Sequence, residues 1–253
     1  MLKHKKGLII GIANEHSLAW GCAKTFHHYT ADLALTYLNE KARSYVEPLA
    51  QQVAAPILMP LDVQSDTQWD ALFETIEKEW GTLDFAIHSI AFAPKNDLHG
   101  RVVDCSLEGF SQAMDISCHS FLRMAKYCEP LMNTGGSLLT MSYYGAQKVI
   151  ENYNMMGPVK AALEACVREV AVELGNKQIR ANAISAGPVQ TRAASGLLKF
   201  EQLMDKAEAH TPLHQLISID DVGELAAYLV SDRAKCITGQ TLFVDAGYNV
   251  LGF

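Results

Sequence analysis

The feature that most constrains the fold is a regular alternation of short apolar segments with longer amphipathic ones. Segments such as Gly7–Ala13 and Leu83–Ile90 are almost continuously apolar, which is typical of strands covered on both faces of a parallel sheet. Segments such as Asp66–Trp80 repeat their apolar residues at helical spacing. The alternation predicts an α/β fold, a doubly wound parallel sheet of seven strands with helices on both faces. The predicted strands are Gly7–Ala13, Asp32–Leu38, Pro56–Leu61, Leu83–Ile90, Gly136–Ser142, Ile179–Ser185 and Gln240–Asp245.

Composition limits the classes of function. The chain has 253 residues, of which 49% are hydrophobic and 19% charged, so a single domain spanning 1–253 can bury a sizeable core. Its formal net charge of −7 argues against nucleic acid or an anionic membrane surface as a partner. No apolar run approaches the roughly 20 residues of a membrane helix, and the N-terminus lacks the pattern of a secretory leader. We therefore expect a cytoplasmic protein whose six cysteines, none in a C-x-x-C pair, are buried free thiols.

One segment, Pro188–Pro212, interrupts the alternation. It begins with turn residues and small side chains and continues as a weakly amphipathic helix. Because it follows the sixth strand on the carboxyl side of the sheet, where ligands of such folds bind, it predicts a substrate lid at about 190–210. An ordinary surface helix explains the same pattern equally well.

The loop after the first strand has the features of a pyrophosphate site. Gly11 at the strand tip lets the backbone pass close to a ligand, and a helix beginning near Ser17 presents free N–H groups that attract phosphate charge. Ala13 and His16 replace the other two glycines of the G-x-G-x-x-G pattern. A strand, loop and helix without a ligand therefore remain the alternative.

Residues after the next three strands suit the rest of a dinucleotide. Glu40 follows the second strand, where an acidic residue favours NAD and an arginine favours NADP, although Lys41 and Arg43 lie close by. Asp62–Val63 after the third strand suits an adenine edge, and the small residues in Ser89–Ala91 suit a ribose. These positions predict a Rossmann-like dinucleotide site.

Tyr143, Tyr153 and Lys160 form the sharpest cluster of reactive side chains. Tyr153 and Lys160 are seven residues apart, which on a continuous helix places both on one face. A nearby ammonium favours the charged or hydrogen-bond-donating form of a phenol, and a lysine can also hold ribose hydroxyls. Pro158 indicates that the helix begins only near that residue, with Tyr153 just outside it. A half-buried core tyrosine beside a solvated lysine is the alternative, and no H-E-x-x-H or similar spacing predicts a metal site.

Together these segments resemble a known family. GIANEHSLAWGCA, SIAFAP, Tyr143 with Tyr153 and Lys160, and AISAGPVQTRAASG are similar to the enoyl-acyl-carrier-protein reductases of bacterial fatty-acid synthesis, a divergent branch of the short-chain dehydrogenase/reductase family. The resemblance extends from Gly7 to Gly247. Ordinary members of the superfamily carry Tyr-x-x-x-Lys with a serine partner, whereas here the spacing is Tyr-x6-Lys and Tyr143 takes the partner position.

The resemblance implies NADH-dependent reduction of trans-2-enoyl thioesters in the last step of the fatty-acid elongation cycle, with NADPH as the less favoured donor. Hydride would pass to C3, Tyr153 would donate to the developing enolate oxygen, and Tyr143 would be a second active-site hydroxyl. It further implies acyl-carrier protein as a partner and a homotetramer. The implied cofactor residues are Gly11, Ser17, Leu18, Leu38, Asp62, Val63, Ile90, Lys160, Val189 and Thr191. On the substrate side it implies Ala93 and a lid helix around Ala193–Leu203.

Two other functions fit parts of the pattern. A carbonyl reductase or alcohol dehydrogenase on the same fold would pair the tyrosine with a serine, and Ser142 is available, but the longer Tyr–Lys spacing disfavours it. A non-catalytic dinucleotide-binding sensor is disfavoured because Tyr153 and Lys160 are both retained.

Docking of an acidic carrier protein imposes a further requirement. Since this chain is itself negatively charged, docking needs a local basic patch. The cations at the rim of the predicted lid are Arg192, Lys199 and Lys206.

Overall fold

Seven parallel strands form one sheet at the centre of the structure, a computed structural model that describes residues 1–191 and 200–251. The strands are β1 Lys6–Ile10, β2 Asp32–Tyr37, β3 Ile57–Pro60, β4 Phe85–His88, β5 Gly136–Ser142, β6 Ile179–Ala186 and β7 Thr241–Val244. Their order across the sheet is β3-β2-β1-β4-β5-β6-β7. Because β1 pairs with β2 on one side and with β4 on the other, the winding reverses there and opens a crevice at the carboxyl ends.

Helices cover both faces of this sheet. They are α1 Leu18–His28, α2 Glu40–Gln52, α3 Asp66–Trp80, α4 Lys95–Leu98, α5 Leu107–Met114, α6 Ser120–Cys128, α7 Met156–Glu173, α8 Phe200–His210 and α9 Ile219–Val230. One core lies between the sheet and α3, α6 and α7, around Trp69 and Phe121. The other lies between the sheet and α1, α2 and α9, around Phe26 and Val222. Within the described residues, no helix is long and apolar enough to cross a membrane.

The predicted doubly wound sheet of seven parallel strands is confirmed. The first strand is shorter than predicted and ends at Ile10 instead of Ala13. The physical reason is Gly11, whose φ of +104° takes the backbone out of the extended ladder.

The chain between β4 and β5 does not form one continuous long helix. A π-helical turn at Asp115–His119 separates α5 from α6, and a 3-10 turn follows α6. At the π turn the Ser120 hydroxyl donates to the carbonyl of Ile116 at 2.6 Å and competes with a helical N–H for that acceptor. Hydrophobic periodicity does not indicate this local competition, because it depends only on the spacing of apolar residues.

The cysteines are free thiols, but they are not all buried. Cys22, Cys118 and Cys128 are buried, Cys105 and Cys166 are partly exposed, and Cys236 is exposed. The expectation of burial is therefore wrong for Cys236, which lies in the turn that leads into β7.

Helices α1 and α9 cross at two glycines. A Cβ atom on Gly21 of α1 would lie 2.1 Å from the carbonyl oxygen of Ile219. A Cβ atom on Gly223 of α9 would lie 2.5 Å from the Thr25 hydroxyl and 2.6 Å from the carbonyl oxygen of Gly21. The two helices can approach this closely because neither glycine carries a side chain.

We expect Gly21→Ala to lower the free energy of unfolding by about 1–3 kcal/mol, because the added methyl group overpacks the crossing against backbone. Urea denaturation measures the change. Gly175→Ala is the matched control, since nothing lies within 4 Å of a Cβ atom built there. Equal stability of the two variants would show that the crossing tolerates a side chain.

Candidate active site

The loop after β1 passes unusually close to the loop after β4. A Cβ atom on Gly11 would lie 2.1 Å from the carbonyl oxygen of Ser89. The positive φ of Gly11 and this contact both require glycine. The loop between β1 and α1 is thereby held at the mouth of the crevice.

Ser17 shapes that loop from within. Its buried hydroxyl accepts the N–H groups of Ala13 at 3.0 Å and Asn14 at 3.1 Å. Leu18 begins α1, and the first N–H groups of a helix have no intrahelical acceptor. In the predicted pyrophosphate site, the helix start at Leu18 therefore carries the N–H groups that a ligand could accept. Ser17 fixes the loop that leads to this helix start.

The turn after β2 and the start of α2 carry two acidic residues, Glu40 and Glu47, and two basic ones, Lys41 and Arg43. Leu38 is exposed there, and Asn39 caps α2 by accepting the N–H of Ala42 at 3.0 Å. Arg43, the residue that could favour a 2′-phosphate, is paired with Glu40 at 3.7 Å and Glu47 at 3.2 Å. The Arg43 guanidinium is thus engaged by two carboxylates, while Lys41 leaves the charge of the segment balanced.

The residues after β3 are held by hydrogen bonds on both sides. The N–H of Asp62 donates to the Gln68 side chain at 2.6 Å, and its carboxylate accepts the N–H of Gln64 at 3.0 Å. Val63 is buried, and its carbonyl accepts the Trp69 indole N–H at 3.1 Å. The backbone at Asp62 and Val63 is therefore fixed at the carboxyl end of β3.

The loop after β4 contains Ile90 and Ala93, both half-buried against the core. Its middle is fastened to the π turn, since the hydroxyl of the buried Ser117 accepts the N–H of Phe92 at 2.8 Å and donates to the carbonyl of Phe92 at 2.9 Å. Ser117 was missed by the sequence analysis, because nothing in the periodicity indicates a π turn.

The segment after β6 leaves the sheet at a tight approach. A Cβ atom on Gly187 would lie 2.9 Å from the Cα atom of Asp245. Val189 and Thr191 follow and are half-buried. Arg192, Lys199 and most of the lid helix predicted around Ala193–Leu203 lie outside the described residues, which resume with α8.

Tyr153 lies just before α7, as Pro158 predicted, so its place does not follow from a shared helix face with Lys160. Its ring is buried and lies over Gly145, where a Cβ atom would be 2.3 Å from ring atom Cδ1. The turn that holds it contains Asn152 and Asn154, both with positive φ. Gly145 is a second residue that sequence reasoning missed.

Tyr143 meets Tyr153 edge to face, with ring centroids 4.8 Å apart. The hydroxyl of Tyr143 is buried and has no hydrogen-bond partner among the described residues. A buried hydroxyl without a partner costs about 1–3 kcal/mol. The Tyr143 hydroxyl is therefore a group that would donate a hydrogen bond to an oxygen atom of a ligand.

Burial raises the pKa of both phenols above the ordinary value near 10. Beyond burial, Tyr143 and Glu164 raise the pKa of Tyr153 further. Of the two forms expected for the Tyr153 phenol, charged or hydrogen-bond-donating, burial favours the second. Tyr153 remains a neutral hydrogen-bond donor.

Lys160 is a buried residue of α7, so the alternative of a solvated lysine is wrong. Its ammonium donates to the carbonyl of Met141, at the end of β5, at 2.8 Å. Burial lowers its pKa to about 8, while Cys118 and Glu164 act in the opposite direction. The remaining N–H donors of Lys160 are available beside the crevice.

Ser142 is engaged elsewhere. Its hydroxyl donates to the carboxylate of the buried Glu164 at 2.6 Å. The neighbouring His88 at the end of β4 bridges Thr140 at 2.8 Å and Ser120 at 2.7 Å, and burial lowers its pKa to about 3, so it is neutral. Glu164 and His88 were both missed, because a single buried polar residue has no periodic signal.

Comparison with known proteins agrees with this geometry. A family model described as enoyl-(acyl-carrier-protein) reductase matches residues 11–249. A Rhizobium meliloti protein named enoyl-[acyl-carrier-protein] reductase [NADH] 1 is 46% identical, over 100% of this chain and 93% of the relative. A Rickettsia felis protein with the same activity in its name is 45% identical, over 100% and 97%.

Solved structures agree as well. The Anaplasma phagocytophilum reductase in complex with NAD superimposes with a TM-score of 0.96 at 49% identity, covering 100% of this chain and 96% of that chain. The Aquifex aeolicus enoyl-[acyl-carrier-protein] reductase (NADH) gives 0.96 at 44% identity, covering 100% and 99%. With the sheet order, the two stacked tyrosines and the buried lysine, these likenesses establish that the chain belongs to the enoyl-acyl-carrier-protein reductase family.

Proposed function

We propose that this chain reduces the C2=C3 bond of trans-2-enoyl thioesters with NADH, the last step of the fatty-acid elongation cycle. The observation that carries the proposal is the pair of phenols in edge-to-face contact, Tyr153 buried and Tyr143 partly buried, with no partner for the buried Tyr143 hydroxyl among the described residues. The relatives carry NADH and this activity in their names, which supports the same assignment here.

The crevice fits a dinucleotide. Because Gly11 has no side chain, the backbone there can pass close to a ligand. The start of α1 offers N–H groups to a pyrophosphate. The residues that would hold it are Gly11, Ser17, Leu18, Leu38, Asp62, Val63, Ile90, Lys160, Val189 and Thr191. When bound in its reduced form, the nicotinamide supplies the hydride that adds to C3.

The chain's own residues handle the charge that then develops on the thioester oxygen. Tyr153, neutral because it is buried, donates a hydrogen bond to that oxygen and stabilises the enolate by several kcal/mol. The free hydroxyl of Tyr143 is the second donor, Lys160 binds the nicotinamide ribose, and Ala93 lines the substrate side. Protonation at C2 completes the reduction.

Carbonyl reduction is disfavoured by one contact. It would need Ser142 as the helper of the tyrosine, but the Ser142 hydroxyl is held by Glu164 at 2.6 Å. A charge-assisted hydrogen bond of this length is not given up readily.

Acyl-carrier protein is the proposed bearer of the enoyl group. Lys206 of α8, part of the proposed basic rim, is exposed and lies 3.7 Å from Glu151, so its charge is partly offset. We therefore expect the carrier to contact this rim weakly.

Assembly as a cytoplasmic homotetramer is also proposed. Three large apolar side chains on and next to α5 and α7 are strongly exposed: Val103, Leu107 and Val172. They support self-association through these helices. The free thiols fit a reducing compartment.

The direct test compares NADH oxidation with a crotonyl thioester and with an acetoacetyl thioester. We expect kcat/KM for the enoyl substrate to exceed that for the ketone by about a hundredfold or more. A faster ketone reaction would identify a carbonyl reductase, and NADH binding without turnover of either would identify a sensor.

Tyr153→Phe is expected to lower kcat for the enoyl thioester by about 10- to 1000-fold, because it removes one transition-state donor. Tyr144→Phe is the matched control, since the Tyr144 hydroxyl donates to the carbonyl of Asn249 at 3.0 Å and faces away from Tyr153. Steady-state kinetics on both variants measures the difference. Equal kcat values in the two variants would remove Tyr153 from the mechanism.

Glu40→Gln is expected to reduce the preference of kcat/KM for NADH over NADPH by about tenfold, because it removes the carboxylate that would repel a 2′-phosphate at the ribose position after β2. Glu47→Gln is the control, since Glu47 is the other partner of Arg43 and lies one turn after Arg43 in α2. If the two variants changed the preference equally, Glu40 would have no role of its own.

A further inference from the structure

Consecutive residues at the end of β5 are tied to α7 through polar contacts. The carbonyl of Met141 accepts the Lys160 ammonium at 2.8 Å. The hydroxyl of Ser142 donates to Oε1 of Glu164 at 2.6 Å, and the Gln147 amide donates to Oε2 of the same carboxylate at 3.5 Å. Both carboxylate oxygens therefore act as acceptors, as the ionised form requires.

Glu164 is an unusual position for a charge. The residue is 6% exposed and lies four residues after Lys160, so the two side chains share a face of α7. Within the described residues no lysine or arginine forms an ion pair with its carboxylate. Arg168, one turn later in α7, donates to the backbone carbonyl of Glu164 and not to its side chain. A buried charge is retained only where another charge or a set of donors compensates it.

Lys160 has the complementary problem. The titratable groups that face it are Cys118 from the π turn, His88 from β4 and Glu164 from α7 itself. The hydrogen bond with Cys166, and then burial, raise the pKa of the Cys118 thiol, and burial lowers the pKa of His88 to about 3, so that it is neutral. Of these groups, Glu164 is the one that carries a charge opposite to the ammonium.

We propose that Glu164 is a positioning residue of the reductase, which keeps the buried Lys160 protonated and holds the Ser142 hydroxyl away from the substrate oxygen. The proposal rests on the proposed function, since it concerns the lysine assigned to the nicotinamide ribose. In this role Glu164 is assigned no contact of its own with substrate or cofactor. It acts through Lys160 by its charge and through Ser142 by a hydrogen bond.

The sign of the charge effect follows from the environment of Lys160. Burial lowers the pKa of the ammonium to about 8, and the Glu164 carboxylate raises it. Removing the carboxylate leaves burial less opposed, so the pKa falls further. Lys160 then loses its proton, and the charge beside the cofactor, at a lower pH than in the unchanged protein.

The test follows the ionisation of Lys160 directly. The full-length protein is labelled with ¹³C-lysine, the Cε resonance of Lys160 is identified by its loss in Lys160→Arg, and its shift is followed with pH. In Glu164→Gln we expect the midpoint to fall by about one pH unit. Glu164→Ala also removes the charge, and the same shift is expected if Glu164→Gln does not fold.

Two further variants separate charge from hydrogen bonding. Ser142→Ala removes the hydrogen bond and keeps the carboxylate, so we expect a midpoint within about 0.3 unit of the unchanged protein. Glu164→Asp keeps the charge, so its midpoint is expected to lie closer to that of the unchanged protein than to that of Glu164→Gln. An unmoved midpoint in Glu164→Gln would overturn the proposal, and so would an equal shift in Ser142→Ala.

Activity supplies the second readout. The alkaline limb of kcat/KM for crotonyl thioester should move in Glu164→Gln by the same amount as the Lys160 midpoint. If the Lys160 midpoint shifted in Glu164→Gln and the alkaline limb of kcat/KM did not, the positioning role would be overturned. The proposed function would stand in that case, because the unchanged protein would still reduce the thioester. Failure of the unchanged protein to reduce any enoyl thioester would instead overturn the proposed function, and the positioning role with it.

Discussion

The site depends on the join between the end of β5 and the residues in and before α7. Met141 receives the Lys160 ammonium, Ser142 donates to Glu164, and the ring of Tyr143 meets the ring of Tyr153. These contacts come from the last two residues of β5 and the residue that follows it, so a single strand end orients the lysine and both phenols. The sheet order places this strand end beside β4 and the crevice, where a dinucleotide fits.

Burial decides the chemistry that these side chains can perform. It raises the pKa of Tyr143 and Tyr153 and lowers that of Lys160, so the phenols stay protonated while the ammonium needs a counter-charge. A neutral phenol is suited to donate a hydrogen bond to a developing enolate. The same environment gives Glu164 a reason to be charged although it is buried.

The sequence could predict the elements that repeat or have fixed spacing. Apolar alternation predicted the doubly wound sheet, and Pro158 predicted that Tyr153 precedes its helix, and the structure confirms both. The π turn that holds Ser117 and the pairing of Ser142 with Glu164 depend on contacts between distant segments. No local pattern encodes such contacts, and the roles of the individual site residues remain predictions.

The sequence left two forms of the Tyr153 phenol open, charged or hydrogen-bond-donating, for a related reason. Sequence spacing indicates that two groups are near each other, but it does not indicate how much water surrounds them. Burial raises the pKa of the phenol and favours the neutral donor, and the Lys160 ammonium is bonded to the carbonyl of Met141.

The most direct test of this account is a difference titration of Tyr153. The phenolate absorbance of the unchanged protein minus that of Tyr153→Phe is followed between about pH 7 and pH 10. An ordinary tyrosine has a pKa near 10 and is largely protonated below that pH. A flat difference is expected, because burial keeps Tyr153 protonated throughout. A phenolate that appeared with a midpoint well below pH 10 would show that Lys160 controls the phenol, and would contradict the account of Tyr153 as a neutral donor.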